Sequence, residues 1–170
     1  MLTIKAILAD ITHLDVDIIV NAAHESLLGG GGVDGAIHQA AGPELLAECR
    51  MFKGCNPGEV VLTEAYRLPS RKVIHTVGPR WRDGRSGESE RLRSCYGRSI
   101  TLAESIKARS IAFPCISTGV FRFPKELATR IAVESVLGSI SEPSSLQEII
   151  FCCFSESDLQ GYLEVLNEAL

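Results

Sequence analysis

Residues 16–35 read Val16-Asp-Ile-Ile-Val-Asn-Ala-Ala-His-Glu-Ser-Leu-Leu-Gly-Gly-Gly-Gly-Val-Asp-Gly35, and this stretch decides the fold. Val16–Asn21 is mainly apolar, which predicts a strand buried on both faces of a sheet. The glycine run Gly29–Gly32 separates it from a segment of helical character, Val33–Ala41. Because four glycines lose much freedom on folding, we expect them to bring backbone N–H groups and a helix N-terminus close to a phosphate. A flexible surface turn is the alternative.

Residues 30–35 match the dinucleotide fingerprint G-x-G-x-x-G letter for letter. The Rossmann fold places these glycines directly after the strand, whereas Ala22–Gly29 intervene here. The P-loop lysine is also missing, since Ala36 and Ile37 follow Gly35. A dehydrogenase would also need a substrate domain, for which 170 residues leave no room. Neither standard nucleotide motif therefore fits.

Strand and helix patterns alternate along the whole chain, which favours an α/β sandwich with a mostly parallel or mixed sheet. In such sheets ligands bind beyond the carboxyl ends of the strands. The glycines and charges of Arg80–Ser89 predict a flexible loop. The predicted strands are Leu2–Leu8, Val16–Asn21, Val60–Ala65, Lys72–Val77, Ser110–Cys115 and Glu148–Cys153. The predicted helices are Val33–Ala41, Pro43–Phe52, Glu90–Ile106, Lys125–Leu137 and Asp158–Leu170, and the third is expected to bury Leu92, Cys95, Tyr96, Ser99, Leu102, Ala103 and Ile106.

Composition narrows the classes of function. A net charge of −4 and 45% hydrophobic residues fit a globular protein and argue against nucleic acid as a partner. No apolar run approaches the ~20 residues of a membrane span, and Thr3, Lys5 and Asp10 interrupt any signal segment. We therefore expect a cytoplasmic protein without a membrane partner. The six cysteines lack C-x-x-C and zinc spacing, which predicts buried, reduced thiols rather than a disulfide framework, a catalytic cysteine or a metal site.

Two loops carry candidate chemistry. Asp34 and His38 are four residues apart and share one helix face beside the glycine run. Asp34 is either an ordinary first-turn acid or a carboxylate that orients a water or a sugar hydroxyl next to a bound phosphate. The loop Ile116–Pro124 has small donors, a central glycine and two aromatic residues. It is either an ordinary connection or the second half of a pyrophosphate clamp.

Six segments occur in the order found in the macrodomain family, and together they resemble it. The closest resemblance is to its MacroD-type branch of ADP-ribosyl hydrolases and O-acetyl-ADP-ribose deacetylases. The segments are Asp10-Ile-Thr12, Ile19-Val-Asn-Ala-Ala23, Gly29-Gly-Gly-Gly-Val-Asp-Gly-Ala-Ile-His38, Ala40-Ala-Gly42, His75-Thr-Val-Gly-Pro79 and Ile116-Ser-Thr-Gly-Val120.

The resemblance implies a three-layer α/β/α sandwich with a central mixed sheet, formed by residues 1–170 as a single macrodomain. It implies ADP-ribose, ADP-ribosylated proteins or O-acetyl-ADP-ribose as partners, with no cofactor. We expect a monomer. A non-catalytic ADP-ribose reader is the alternative to a hydrolase.

The same resemblance implies roles for individual residues. Asp10 would accept from the adenine amino group, which selects adenine over guanine, and Ile11 would line the base. Asn21 would hold the distal ribose, with Gly30, Gly31, Gly32 and Val33 at the distal ribose and phosphate. Ser117, Thr118, Gly119, Val120 and Phe121 would wrap the pyrophosphate, Phe121 also packing on the ribose. Phe154 is either an adenine platform or a core aromatic residue.

The implied catalytic residues are Asp34, His24 and Asn21, with His38 behind them. Asp34 would position a water for hydrolysis of an ester between the distal ribose and a carboxylate, either by orienting the water or by removing its proton. His24 replaces an Asn that is usual in the active branch. An imidazole and an amide both donate and accept, but from differently spaced atoms. Ala9 replaces the usual Gly before Asp10, which affects only local backbone freedom. His24 either replaces the usual Asn, or stabilises the leaving carboxylate when protonated, or misplaces the substrate and leaves a pure binder. Binding of ADP-ribose is thus the firmer prediction.

Overall fold

The computed structural model describes residues 1–170. The chain forms six strands and five helices, as the periodicity predicts, and two 3₁₀ turns cover Ile11–His13 and Arg50–Phe52. The strands are β1 (Thr3–Leu8), β2 (Ile18–Ala22), β3 (Val60–Glu64), β4 (Lys72–Thr76), β5 (Ser110–Phe113) and β6 (Glu148–Cys153). The helices are α1 (Gly32–Ala41), α2 (Pro43–Cys49), α3 (Glu88–Ser105), α4 (Lys125–Ser139) and α5 (Glu156–Ala169).

The strands form one mixed sheet in the order β1-β6-β5-β2-β4-β3. All neighbouring pairs are parallel except β3, which pairs antiparallel with β4 at the edge. The five parallel strands therefore end at the same edge of the sheet, and the loops that follow them share that edge.

Helices cover both faces of the sheet. Along β2, Ile18 and Val20 pack into the core shared with α3, α4 and α5, while Ile19 packs into the core shared with α1 and α2. All three side chains are completely buried. Burial on both faces is why Ile18, Ile19 and Val20 are apolar in succession, and it confirms the predicted three-layer α/β/α sandwich.

All five helices differ from their predicted bounds at one end or at both. The long helix α3 ends at Ser105, so Ile106 lies outside it and is 38% exposed, and Ile100 occupies the buried face instead. The predicted helix Pro43–Phe52 tightens into a 3₁₀ turn after Cys49, and Lys53 then adopts a left-handed conformation with φ 56° that ends it. No helix combines the length and the apolar character needed to cross a membrane.

The segment Arg80–Ser89 is not the loose loop that its composition predicts. The carboxylate of Glu88, which is only 2% exposed, accepts backbone N–H groups from Arg82, Asp83, Gly84 and Ser86 at 2.7–3.0 Å. Burial alone would raise the pKa of Glu88, but these donors outweigh it and lower the pKa to about 2. An ionised carboxylate thus organises this loop from inside.

Candidate functional site

The predicted site residues follow adjacent strands at one edge of the sheet. Asp10 follows β1, Phe154 follows β6, Ser117–Phe121 follow β5, and Asn21 lies near the end of β2. Since neighbouring strands are ~4.8 Å apart, the whole set spans about 15 Å. The sheet therefore arranges the predicted residues in one row, in the order β1, β6, β5, β2.

Asp34 lies in the first turn of α1 and is only 4% exposed. Its Oδ1 accepts from Asn21 Nδ2 at 2.9 Å, and its Oδ2 accepts from the backbone N–H of His24 at 3.2 Å. His38 Nε2 lies 3.5 Å from Oδ1, one helical turn later. The carboxylate is thus buried with a donor on each oxygen, which fixes its orientation.

Asn21 is completely buried at the carboxyl end of β2. Its Nδ2 contacts Asp34 Oδ1 and also lies 3.1 Å from His75 Nδ1. Its Oδ1 has no hydrogen-bond partner in the protein. A buried acceptor without a donor is uncommon in native structures, and a ligand hydroxyl or a water can satisfy it.

The backbone and the side chain of His24 make separate contacts. Its backbone N–H donates to Asp34, whereas its side chain is exposed and turns toward Ser26. His24 Nδ1 accepts from the Ser26 backbone N–H at 3.1 Å. An Asn side-chain oxygen makes the same contact to the residue two positions on when it forms an Asx turn. The imidazole therefore takes the place of an Asn oxygen in this turn, and the contact to Asp34 does not depend on the side chain.

The glycine run is exposed beside Asp34. The backbone N–H groups of Gly30 and Gly31 donate to no backbone group of the protein, and those of the first turn of α1 have no helical partner. A Cβ atom on Gly35 would lie 2.4 Å from the carbonyl oxygen of Gly30. Only a glycine at position 35 lets the helix pack this closely under the run, which leaves the free donors facing outward.

The second loop has the same character. None of the backbone N–H groups of Ser117–Phe121 donates to another backbone group. Ser117 has a φ of 67° and its buried hydroxyl lacks a partner. Loop closure depends on Phe123 N–H, which donates to Ser117 O at 2.9 Å. Five consecutive free donors in a bent loop resemble an anion-binding nest.

Three residues to which the sequence assigns no role in the site pack against the Ser117–Phe121 loop. A Cβ atom on Gly78 would lie 2.1 Å from Ser117 Oγ, so Gly78 permits the close approach. Trp81 N–H donates to Phe121 O at 2.8 Å, and the Arg80 guanidinium lies 5.1 Å from the Phe121 ring centre. Gly78 belongs to the His75–Pro79 segment, one of the six that resemble the family. Arg80 and Trp81 directly precede the residues whose backbone N–H groups donate to Glu88.

Asp10 and Phe154 form the other end of the row. Asp10 Oδ1 accepts from the Thr12 hydroxyl at 2.6 Å and the Thr12 N–H at 2.9 Å, and these two bonds lower the pKa of Asp10. Its Oδ2 lies 3.7 Å from His13 Nε2, and about half of the side chain is exposed. Phe154 is 93% exposed, so it is not a core aromatic residue. An exposed ring beside an ionised carboxylate suits a purine base.

The cysteines and the histidines make no other centre. All six cysteines are free, and burial raises the pKa of Cys49 and of Cys95 to about 11, which disfavours thiolate chemistry at those two positions. No group of three or more His, Cys, Asp or Glu side chains is arranged to hold a metal ion.

The packing of Gly35 gives a test of the glycine run. We expect Gly35→Ala to lower the free energy of unfolding by about 1–3 kcal/mol because its methyl group would overlap the Gly30 carbonyl oxygen. Gly31→Ala is the matched control, since φ is −90° and no atom lies within 4 Å of its Cβ position; it should change stability by less than about 0.5 kcal/mol. Urea unfolding measures both. A stabilised Gly35→Ala protein would contradict the close packing.

Known proteins share both the sequence and the structure of this chain. The Macro domain profile matches residues 20–132. A Macro domain-containing protein of Ralstonia nicotianae is 54% identical over 167 residues, covering 98% of this chain and 96% of its own. The O-acetyl-ADP-ribose deacetylase of Klebsiella pneumoniae is 51% identical over 166 residues and covers 95% of each chain.

Solved structures agree with these sequence matches. The Oceanobacillus iheyensis macrodomain with ADP superimposes with a TM-score of 0.94 at 41% identity, covering 99% of this chain and 92% of its own. The Trypanosoma brucei macrodomain in complex with ADP-ribose has a TM-score of 0.89 at 44% identity, covering 96% of this chain and 68% of its own. The chain belongs to the Macro domain family.

Proposed function

We propose that this macrodomain, residues 1–170 acting as one unit, binds ADP-ribose and hydrolyses the ester between its terminal ribose and a carboxylate. The carboxylate belongs either to a protein Asp or Glu or to acetate. The observation that carries the proposal is the buried Asp34 carboxylate, held by Asn21 and by the His24 N–H beside a run of free backbone donors.

The order of groups along the sheet edge matches the order of groups in ADP-ribose. The adenine would stack on Phe154 and donate its amino group to Asp10 Oδ2, which has no donor within the usual hydrogen-bond distance. The pyrophosphate would lie between Ser117–Phe121 and Gly30–Val33, where free backbone N–H groups bind oxygen atoms without net positive charge. The terminal ribose would then reach Asn21 and Asp34.

Asp34 would act by orientation. Each carboxylate oxygen accepts one hydrogen bond in the free protein and keeps capacity for a second, so Asp34 can hold a water against the ribose ester. Addition of that water breaks the ester bond and releases ADP-ribose with a free hydroxyl, a carboxylate and a proton. Asn21 Oδ1, which lacks a donor, would accept from a ribose hydroxyl and place the ester beside the water.

His24 would contribute through its backbone. Its N–H holds Asp34 Oδ2, and its imidazole caps the turn at Ser26. Both contacts are available to an Asn at this position. The replacement of the usual Asn by His24 is therefore compatible with hydrolysis.

The relatives support this assignment. The deacetylase of Klebsiella pneumoniae shares 51% of its residues with this chain over the aligned region. The Trypanosoma brucei structure holds ADP-ribose in a fold with a TM-score of 0.89 to this one.

Release of ADP-ribose from a glutamate-ADP-ribosylated protein tests the function. We expect Asp34→Ala to lower the hydrolysis rate by about a hundredfold or more, because the water loses its orienting group, while ADP-ribose still binds. Asp17→Ala is the control: its carboxylate also accepts a backbone N–H, from Arg109 at 2.7 Å, but it precedes β2 at the opposite edge of the sheet. A wild-type protein that binds ADP-ribose and releases none would instead be a reader.

The same assay tests the role of His24. We expect His24→Asn to hydrolyse the ester within about threefold of the wild-type rate, since an amide oxygen can accept from Ser26 N–H as His24 Nδ1 does. A loss of tenfold or more would show that the imidazole itself acts in the reaction.

A further inference from the structure

A chain of buried polar contacts runs from the antiparallel edge strand to Asp34. Thr63 on β3 lies 2.9 Å from His75 Nε2 through its hydroxyl oxygen, and His75 Nδ1 lies 3.1 Å from Asn21 Nδ2. Asn21 Nδ2 in turn donates to Asp34. The three side chains before Asp34 are at most 2% exposed. The function proposed above uses Asn21 and Asp34 but leaves Thr63 and His75 without a role.

The contacts of Thr63 fix the position of the proton on His75. The Thr63 hydroxyl lies 3.0 Å from the carbonyl oxygen of Glu64, which can only accept, so the hydroxyl proton is donated there. Towards His75 the hydroxyl oxygen then accepts at 2.9 Å, so Nε2 carries the proton; the Cys49 sulfur, 3.8 Å from Nε2, is a second and weaker acceptor. Burial, aided by the nearby His38, lowers the pKa of His75 to about 3, so the ring is neutral and Nδ1 is an acceptor.

An acceptor at His75 Nδ1 decides the orientation of the Asn21 amide. The amide nitrogen faces both His75 Nδ1 and Asp34 Oδ1, and its two hydrogens match these two acceptors. Rotating the amide by 180° would place Oδ1 against two acceptors inside the core, which is strongly unfavourable. The unpartnered Oδ1 is therefore kept on the other side, where no group of the protein competes for it.

We propose that His75 is a positioning residue, whose tautomer is set by Thr63 and whose Nδ1 locks the Asn21 amide with its nitrogen on Asp34 and its oxygen free for substrate. The strand pairing makes this possible: Asn21 is opposite His75 in the β2–β4 pair, and His75 is opposite Val61, two residues from Thr63, in the β3–β4 pair. The consequence for the reaction rests on the proposed function; the tautomer and the amide orientation do not.

The test compares Thr63→Val with Thr63→Ser and Thr76→Val in the full chain. Thr63→Val leaves His75 Nε2–H with only the weakly accepting Cys49 sulfur at 3.8 Å, which favours the proton on Nδ1 and turns the Asn21 oxygen toward Asp34. Thr63→Ser keeps the hydroxyl. Thr76→Val is the matched control because Thr76 is equally buried on β4, next to His75, but its hydroxyl donates to Glu59 O.

Two measurements are made on each protein: the tautomer of His75 by ¹⁵N NMR without ligand, and the kinetics of ester hydrolysis. We expect Nε2–H in wild type, Thr63→Ser and Thr76→Val, and a shift toward Nδ1–H in Thr63→Val. We expect kcat to fall by about tenfold to a hundredfold only in Thr63→Val, with a smaller change in KM, and to be restored in Thr63→Ser.

A proton on Nδ1 in the wild-type protein would overturn the assignment of the tautomer. A shifted tautomer in Thr63→Val with an unchanged kcat would overturn the positioning role. If the wild type does not hydrolyse the ester, the proposed function fails, and the NMR arm still decides whether Thr63 sets the tautomer of His75. If Thr63→Val does not fold, His75→Asn replaces it: it keeps an acceptor near the Nδ1 position, and the inference requires it to retain more activity than His75→Phe.

Discussion

The hydrogen bond from Asn21 Nδ2 to Asp34 Oδ1 is the contact on which the rest of the site depends. A carboxyl group that is 4% exposed is tolerable only if its oxygens are paired, and Asn21 and the His24 N–H provide the pairing. The strand β2, the turn at His24 and the first turn of α1 must all be correctly placed for these donors to reach the Asp34 carboxylate. The glycine run connects them, and its close packing on Gly35 leaves its own donors free.

The parallel sheet places the loops that follow β1, β6, β5 and β2 in one row along its edge. These four strands are neighbours in the sheet, although the segments that follow them are spread over residues 10–154 of the chain. One end of the row carries an exposed aromatic ring and a carboxylate, the middle carries free backbone donors, and the other end carries the buried polar group around Asp34. In the proposed function, binding would rely on fixed backbone dipoles, which suits a protein with a net charge of −4.

Much of this arrangement can be predicted from the sequence, and the remainder has a clear physical reason. The apolar β2 segment, the glycine run and Asp34 are local signals, so they predict a strand, a phosphate loop and a carboxylate beside it. Thr63 and His75 are twelve residues apart and meet Asn21 only through strand pairing, which no local pattern reveals. The order of the loop around Glu88 is equally hidden from local patterns. The composition of Arg80–Ser89 indicates a flexible loop, whereas four backbone N–H groups donate to the one buried carboxylate of Glu88. The exposed ring of Phe154 and the turned side chain of His24 likewise depend on tertiary structure.

A crystal structure of the complex with ADP-ribose would show directly how the ligand lies along the sheet edge. We predict that a hydroxyl of the terminal ribose lies within about 3.2 Å of Asn21 Oδ1, with the adenine amino group at a similar distance from Asp10 Oδ2 and the base against Phe154. A ligand bound in the reverse direction, or a terminal ribose that leaves Asn21 Oδ1 without a partner, would contradict it.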